Sequence, residues 1–201
     1  KPTEGEIILN GHHIDGTGPD RIIVFQENAL FPWLKVIENV EFGLKIAGLQ
    51  KEKRRQIALA YLETMQLTRF GDSYVYQLSG GMKQRVALAR APVMDPEILL
   101  MDEPFASLDS QKRDLLSVEL QLIWSKTRKN IIFVTHNIME SVCLGDRVFV
   151  FTNRPGKIKR EITIEHRRPR LTEDDELKPF YREVLGELKS EISAARKQKT
   201  D

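Results

Sequence analysis

The chain has 201 residues, with 31 Lys plus Arg against 29 Asp plus Glu and a formal net charge of +2. This balance creates no strong positive field and argues against a nucleic-acid-binding protein. The single cysteine, Cys143, excludes an internal disulfide and favours a reducing compartment, with a buried apolar role expected for the thiol. The apolar runs are far shorter than the roughly 20 residues that cross a bilayer, so membrane contact is expected only through a partner.

The first part of the chain predicts short strands around a helical insert. Strands are predicted at four short apolar runs, residues 7–9, 22–25, 98–101 and 131–135. An insert is expected over about 38–95, and its first part, about 38–66, is predicted to be one long helical stretch. Ile57, Tyr61 and Met65 recur there every four residues, which is typical of one buried helix face.

Capping residues predict two further helices. Asp109 or Ser110 is expected to cap a helix that runs to about Lys126. Asn137, with Glu140 three residues later, is expected to start another helix.

The last third predicts a hairpin and a helix. Strands are expected at 147–151 and 157–164, joined by a turn at Pro155-Gly156. An apolar stripe predicts a final helix that docks on the domain, formed by Phe180, Val184, Leu188 and Ile192. The basic cluster 167–170 is expected to be a solvated loop, with contact to lipid headgroups as an alternative. The expected division is therefore a domain over 1–165 and a C-terminal basic loop and amphipathic helix over 166–201.

The segment 78–85 has the features of an anion-binding helix start. Ser79 is a good N-cap residue, and Gly80 and Gly81 leave the first backbone N–H groups unobstructed. Such a helix end attracts anions. Pro92 is expected to end this helix early. Taken alone, Ser-Gly-Gly is more often a turn.

Two adjacent carboxylates, Asp102 and Glu103, follow an apolar strand that stops at Pro104. Open α/β folds bind ligands at the carboxyl ends of their strands. Because successive strand side chains diverge, one carboxylate can hold Mg²⁺ while the other orients or deprotonates a water. Alone, Asp-Glu-Pro is more often a solvated junction.

His136 and Gln26 also follow apolar strands and are expected at the same edge of the sheet. His136 can bond to a terminal phosphate or hold the attacking water, whereas a lone His there is usually a hydrogen-bonded core residue. The Gln26 amide can serve both Mg²⁺ and water. Hydrolysis of a nucleoside triphosphate needs these roles together.

Taken in order, these motifs resemble the ATP-binding subunit of ATP-binding-cassette (ABC) transporters over essentially the whole chain. The implied fold is a P-loop NTPase-like α/β fold with a mostly parallel sheet, a helical subdomain and a C-terminal helix. The resemblance implies that Glu103 is the general base and that His136 is the switch histidine. It also implies that Asp102 and Gln26 are Mg²⁺ ligands. It makes Gln26 the Q-loop glutamine, 78–85 the signature and 107–109 the D-loop. Residues expected to bind ATP are then Gln26, Ser79, Gly80, Gly81, Gln84 and Asp109.

The resemblance also implies partners. Two subunits pair head to tail around ATP, and the homodimer or paired ATPase attaches to a transmembrane permease on the cytoplasmic face of the membrane. A substrate-binding protein assists indirectly. The segments 24–33, with Phe31-Pro32-Trp33, and 153–158 resemble the nitrate, sulfonate and taurine importer branch. The aromatic segment is expected either to dock the permease or to pack against the helical layer.

One element of the family is missing from the sequence, the Lys-bearing phosphate loop. Gly11 and Gly16 have the right spacing, but Thr17 stands where Lys is required, so this stretch is predicted to be a hairpin. The first strands and the adenine-stacking aromatic are absent too. The chain is therefore expected to be a fragment of a longer ATPase. Two alternatives are a non-catalytic dimerisation or permease-docking module and a non-transport ABC ATPase.

Overall fold

The computed structural model describes residues 2–197. It begins with a small hairpin in which β1 (Ile8–Leu9) pairs antiparallel with β2 (His12–His13). Asn10 and Gly11 form its turn with φ angles of 49° and 81°, which glycine adopts without steric cost. The hairpin predicted at the false phosphate-loop spacing is thus confirmed.

The central element is a three-stranded parallel sheet of β3 (Arg21–Val24), β4 (Ile98–Asp102) and β5 (Asn130–Val134), with β4 in the middle. The packed face includes Val24, Leu99 and Met101, which are almost fully buried. The other face is also apolar, yet Ile23 and Ile132 are 43% and 54% exposed. Within residues 2–197, this second face remains open to solvent.

Three helices form the helical subdomain: α1 (Val36–Ile46), α2 (Lys51–Thr64) and α3 (Gly80–Arg90). The prediction of one long helical stretch over 38–66 was wrong, because Gly48 takes a φ of 80° and separates α1 from α2. The stripe of Ile57, Tyr61 and Met65 does pack into the core, as predicted. Helix α3 ends at Arg90, two residues before Pro92, which opens a short 3-10 turn.

Two helices follow the strands of the sheet. Helix α4 (Ser110–Thr127) is capped by Asp109, and α5 (Ile138–Leu144) by Asn137, so both predicted caps are confirmed. Helix α4 adds Leu116, Leu120 and Ile123 to the core that covers the packed face of the sheet.

The C-terminal region has its own small core. The predicted hairpin is confirmed as antiparallel β6 (Arg147–Phe151) and β7 (Ile158–Thr163), and the last described element is α6 (Lys178–Lys197). Val184, Phe180 and Leu188 of the predicted stripe pack against this core, while the side chain of Ile192 lies outside the described residues. Cys143 also belongs to the core, and its burial raises the pKa of the thiol to about 11. No helix within 2–197 is long and apolar enough to span a membrane.

The prediction that 167–170 is a solvated basic loop was wrong for Arg170, whose side chain is only 1% exposed. Its guanidinium donates to a set of backbone carbonyls, those of Val142, Gly145, Ile164 and His166. Burial lowers the pKa of Arg170, since desolvation disfavours the charged form. The Arg170 backbone also exchanges two hydrogen bonds with the Gln121 side chain of α4. Arg170 therefore joins the C-terminal region to the rest of the domain.

We expect Arg170→Gln to lower the free energy of unfolding by about 3 kcal/mol or more, because each buried carbonyl left without a donor costs about 1–3 kcal/mol. Urea unfolding followed by circular dichroism measures the change. The matched control is Arg167→Gln, at an exposed neighbouring arginine, which should change stability by less than about 0.5 kcal/mol. Equal effects of the two substitutions would contradict a structural role for the buried Arg170 guanidinium.

Candidate functional site

The register of the sheet brings three strand ends to one edge. Val24 pairs with Met101, and Met101 pairs in turn with Phe133. The residues that follow these positions therefore leave the sheet side by side. They include Gln26 after β3, Asp102 and Glu103 at the end of β4, and His136 after β5.

Glu103 and His136 are in direct contact at this edge. The Nδ1 atom of His136 lies 3.1 Å from Oε2 of Glu103, with side-chain exposures of 72% and 31%. The Glu103 backbone N–H donates a 2.9 Å hydrogen bond to the Val134 carbonyl. This bond attaches the turn that follows β4 to strand β5. Glu103 also has a φ of 44°, an unfavourable left-handed conformation for a non-glycine residue. Strain of this kind is concentrated at functional sites.

Asp102 and Gln26 are exposed on the neighbouring strand ends. A carboxylate and an amide offer the oxygen ligands that Mg²⁺ prefers, and Mg²⁺ usually takes only one or two protein ligands beside substrate phosphates. Among residues 2–197, no group of three or more His, Cys, Asp or Glu side chains is arranged as a metal site. Asp102 and Gln26 are donors that would fit a Mg²⁺ ion with further oxygen ligands from outside the protein.

The start of α3 forms a second exposed element. Ser79 caps the helix, accepting a 3.4 Å hydrogen bond at Oγ from the Met82 N–H. Ser79 and Gly80 are exposed, and a side chain at Gly80 would meet open space. At Gly81, a Cβ atom would lie 3.3 Å from the Lys112 side chain. This end of α3 is therefore an accessible group of backbone donors at the positive end of a helix dipole.

Two of the predicted site residues have different surroundings. Gln84 is completely buried, and within residues 2–197 neither polar atom of its amide makes a hydrogen bond. Asp109 is exposed and caps α4 through a 3.0 Å bond to the Lys112 N–H. The Lys112 ammonium hydrogen bond and this backbone bond lower the pKa of Asp109. No hydrogen bond or ion pair between described residues links the start of α3 to Glu103 or His136.

Sequence reasoning missed a buried group behind His136. The Thr135 hydroxyl donates a 2.6 Å hydrogen bond to Oε2 of Glu140, and Nε of Arg113 lies 3.1 Å from Oε1 of the same carboxylate. The spacing of Asn137 and Glu140 signalled a helix cap, but nothing in the sequence signalled that Glu140 faces Arg113, which is 27 positions away.

Parallel strands that end in two carboxylates, an amide and a histidine, together with an exposed helix start, define an α/β protein suited to phosphate chemistry. Comparison with known proteins agrees. The profile of the family described as ABC transporter matches residues 1–106. An uncharacterized ABC transporter ATP-binding protein of Methanocaldococcus jannaschii is 48% identical over 95% of this chain and 72% of its own length.

Two further relatives have more specific names. A nitrate import ATP-binding protein of Synechocystis is 46% identical over 81% of this chain and 61% of its own length. A taurine import ATP-binding protein of Pelagibacter ubique is 45% identical over 82% of this chain and 62% of its own length. Among solved structures, the dimeric ATP-binding cassette MJ0796 in a post-hydrolysis state, bound to ADP and Pi, superposes with a TM-score of 0.70. The two chains are 32% identical, and the superposed region covers 83% of this chain and 76% of the chain of MJ0796.

The chain therefore belongs to the ABC transporter family and has the α/β fold of its ATP-hydrolysing cassettes. The resemblance found in the sequence motifs is confirmed.

The left-handed conformation of Glu103 gives a stability prediction. Glycine adopts this φ without the penalty of about 1–2 kcal/mol that a Cβ atom brings, although it also loses more backbone entropy on folding. We expect Glu103→Gly to be about 1 kcal/mol more stable to urea than Glu103→Ala, which keeps the strain. Both variants lose the contact with His136, so the comparison isolates the backbone. If the glycine variant is no more stable, Glu103 is not strained.

Proposed function

We propose that this chain acts in the ATPase subunit of an importer for a small anion of the nitrate, sulfonate or taurine type. The contact between Glu103 and His136 beside Asp102 is the observation that carries the proposal. Support for the substrate class comes from relatives named for nitrate and taurine import. The expected location is peripheral, at the cytoplasmic face of the membrane, through a permease assisted by a substrate-binding protein.

In this proposal, Glu103 accepts the proton of the attacking water and His136 hydrogen-bonds to the terminal phosphate or holds that water. The contact of the two side chains keeps both within reach of one reacting centre. Asp102 and Gln26 would hold Mg²⁺, which neutralises phosphate charge when bound. The separate directions of Asp102 and Glu103 allow these two roles to coexist on one strand end.

A partner subunit would complete each site. The start of α3 is exposed, and no described contact joins it to the Glu103 and His136 pair of its own chain. Ser79, Gly80 and Gly81 would therefore donate to the terminal phosphate of ATP held by the other subunit. The solved relative MJ0796 is dimeric, which supports this arrangement. Asp109 and Gln84 remain proposed nucleotide contacts, although contact with the buried Gln84 would require a rearrangement.

The aromatic surface of 31–33 is the proposed permease contact. Trp33 is 70% exposed, with its ring 5.6 Å from that of Phe31. Phe31 is itself packed against Phe42 of α1 and lies under the guanidinium of Arg90. Both sequence-based alternatives thus find support, because Phe31 packs against the helical layer while Trp33 is available to an apolar helix end.

ATP binding would require a phosphate loop that the 201 residues do not contain. Such a loop supplies several charge-assisted contacts to phosphate, each contributing about 1.5–3 kcal/mol. The open apolar face of the sheet, with Ile23 and Ile132, is consistent with further elements packing there. The absence of the loop also keeps a second candidate function in view, a non-catalytic module that offers the start of α3 to a partner's ATP.

We expect the 201-residue chain to bind a fluorescent ATP analogue at least about 100-fold more weakly than a version with a Lys-bearing loop and its strand joined in front, because two lost contacts exceed 2.7 kcal/mol, or about a hundredfold. Fluorescence anisotropy measures both affinities. Micromolar binding by the 201-residue chain would contradict the need for the loop.

In the loop-containing ATPase, we expect Glu103→Gln to lower kcat by about 10²–10⁴-fold and to leave ATP affinity nearly unchanged, because it removes the base but not Asp102. Steady-state phosphate release and equilibrium binding provide the two readouts. The matched control is Glu97→Gln, at an exposed glutamate just before the opposite end of β4. Normal turnover of Glu103→Gln would refute the assignment of Glu103, and an inactive parent protein would favour the non-catalytic module.

A further inference from the structure

Glu140 is a buried carboxylate on the side of α5 that faces the turn carrying His136. It is 6% exposed, with a hydrogen bond at one oxygen and, at the other, an ion pair in which Nε of Arg113 makes no hydrogen bond within residues 2–197. Oε2 accepts the 2.6 Å hydrogen bond from the Thr135 hydroxyl, and Oε1 lies 3.1 Å from Nε of Arg113. A buried carboxylate with this set of contacts is fixed in position, because losing either partner would leave charge without compensation.

The contacts of Thr135 extend this fixed group to both sequence neighbours of His136. Thr135 Oγ1 accepts a 3.0 Å hydrogen bond from the Asn137 N–H, while Asn137 Oδ1 accepts from the Met139 and Glu140 N–H groups. His136 therefore sits between two residues whose positions depend on Glu140. Its own side chain is 72% exposed and has only the contact with Glu103 among the described hydrogen bonds and ion pairs.

Arg113 links this turn to a second functional turn. Besides its ion pair with Glu140, it donates a 3.0 Å hydrogen bond through Nη2 to the Leu108 carbonyl. Leu108 directly precedes Asp109, the cap of α4. One guanidinium thus holds the turn before α4 against the turn before α5.

We propose that Arg113 and Glu140 are positioning residues for His136, holding its backbone so that the imidazole stays beside Glu103. The inference rests on the proposed function, since it assigns a catalytic role to His136. Neither Arg113 nor Glu140 touches the reacting atoms in this account, and both act through the Thr135 to Asn137 turn.

A second ion pair that involves α4 serves as a control. It distinguishes an effect on the position of His136 from a general effect on the packing of helices. Arg85 of α3 lies 3.0 Å from Glu119, with side-chain exposures of 22% and 7%, against 24% and 6% for Arg113 and Glu140. Burial raises the pKa of both glutamates, so both carboxylates lose solvation on folding. The difference is in the local contacts, because Glu140 accepts the hydrogen bond from Thr135, whereas no described hydrogen bond or ion pair joins Glu119 to the His136 turn.

The first test is a double-mutant cycle in the loop-containing ATPase. We expect Glu140→Gln to lower kcat by about 10- to 100-fold with less than a twofold change in KM for ATP, since misplacing a catalytic group acts on the chemical step. In a His136→Ala background, the same substitution should change kcat less than about twofold. Arg113→Gln should also lower kcat, but it removes the hydrogen bond to the Leu108 carbonyl as well, so the cycle is evaluated with Glu140→Gln. Equal effects in both backgrounds would overturn the proposal, because a purely structural role does not depend on His136.

The second test uses the 201-residue chain and needs no ATP. The His136 ring signal in a ¹³C–¹H spectrum is assigned with His136→Gln among the four histidines of the chain. We expect Glu140→Gln to shift or broaden this signal and Glu119→Gln to leave it unchanged, although both lower the melting temperature. An unchanged signal in Glu140→Gln, or the same change in both variants, would overturn the proposal that Glu140 positions the His136 ring. If His136→Ala turns over normally, the proposed function fails, while this spectrum still decides whether Arg113 and Glu140 position the ring.

Discussion

The parallel register of β3, β4 and β5 is the constraint on which the site depends. Because Val24, Met101 and Phe133 are aligned, three polar chain segments emerge at one edge, although they are far apart in the sequence. A shift of one residue in this register would exchange the two faces of the sheet, moving the buried Leu99 and Met101 into solvent. The hydrophobic core thus fixes the position of Glu103 and His136 as firmly as any polar contact.

Helix α4 connects this sheet edge to the other parts of the domain. Its apolar side packs in the central core, while its charged residues reach α3 through Glu119 and α5 through Arg113. Gln121 extends the connection to the C-terminal region through the backbone of buried Arg170. Burying ion pairs of this kind costs desolvation free energy. We therefore expect them to contribute more to a fixed side-chain geometry than to net stability.

Much of the fold was predictable because local physics decides it. Strands were found where apolar runs occur, and Ser79, Asp109 and Asn137 cap helices as their side chains predict. The errors arise where tertiary contacts override local patterns. A basic cluster ordinarily remains solvated, yet Arg170 is buried because carbonyls distant in the sequence surround it. The break between α1 and α2 depends on the φ angle of Gly48, which a regular apolar stripe does not reveal.

The position of the candidate site residues was predictable, but the contacts that support them were not. Gln26, Asp102, Glu103 and His136 follow apolar strands and lie at the predicted edge of the sheet, while their roles remain proposals. The ion pair behind His136 joins residues with no shared sequence pattern. The most direct test is a structure of the loop-containing Glu103→Gln protein with ATP and Mg²⁺. We predict the terminal phosphate within hydrogen-bond distance of His136, with Mg²⁺ beside Asp102. A nucleotide bound away from this sheet edge would contradict the account.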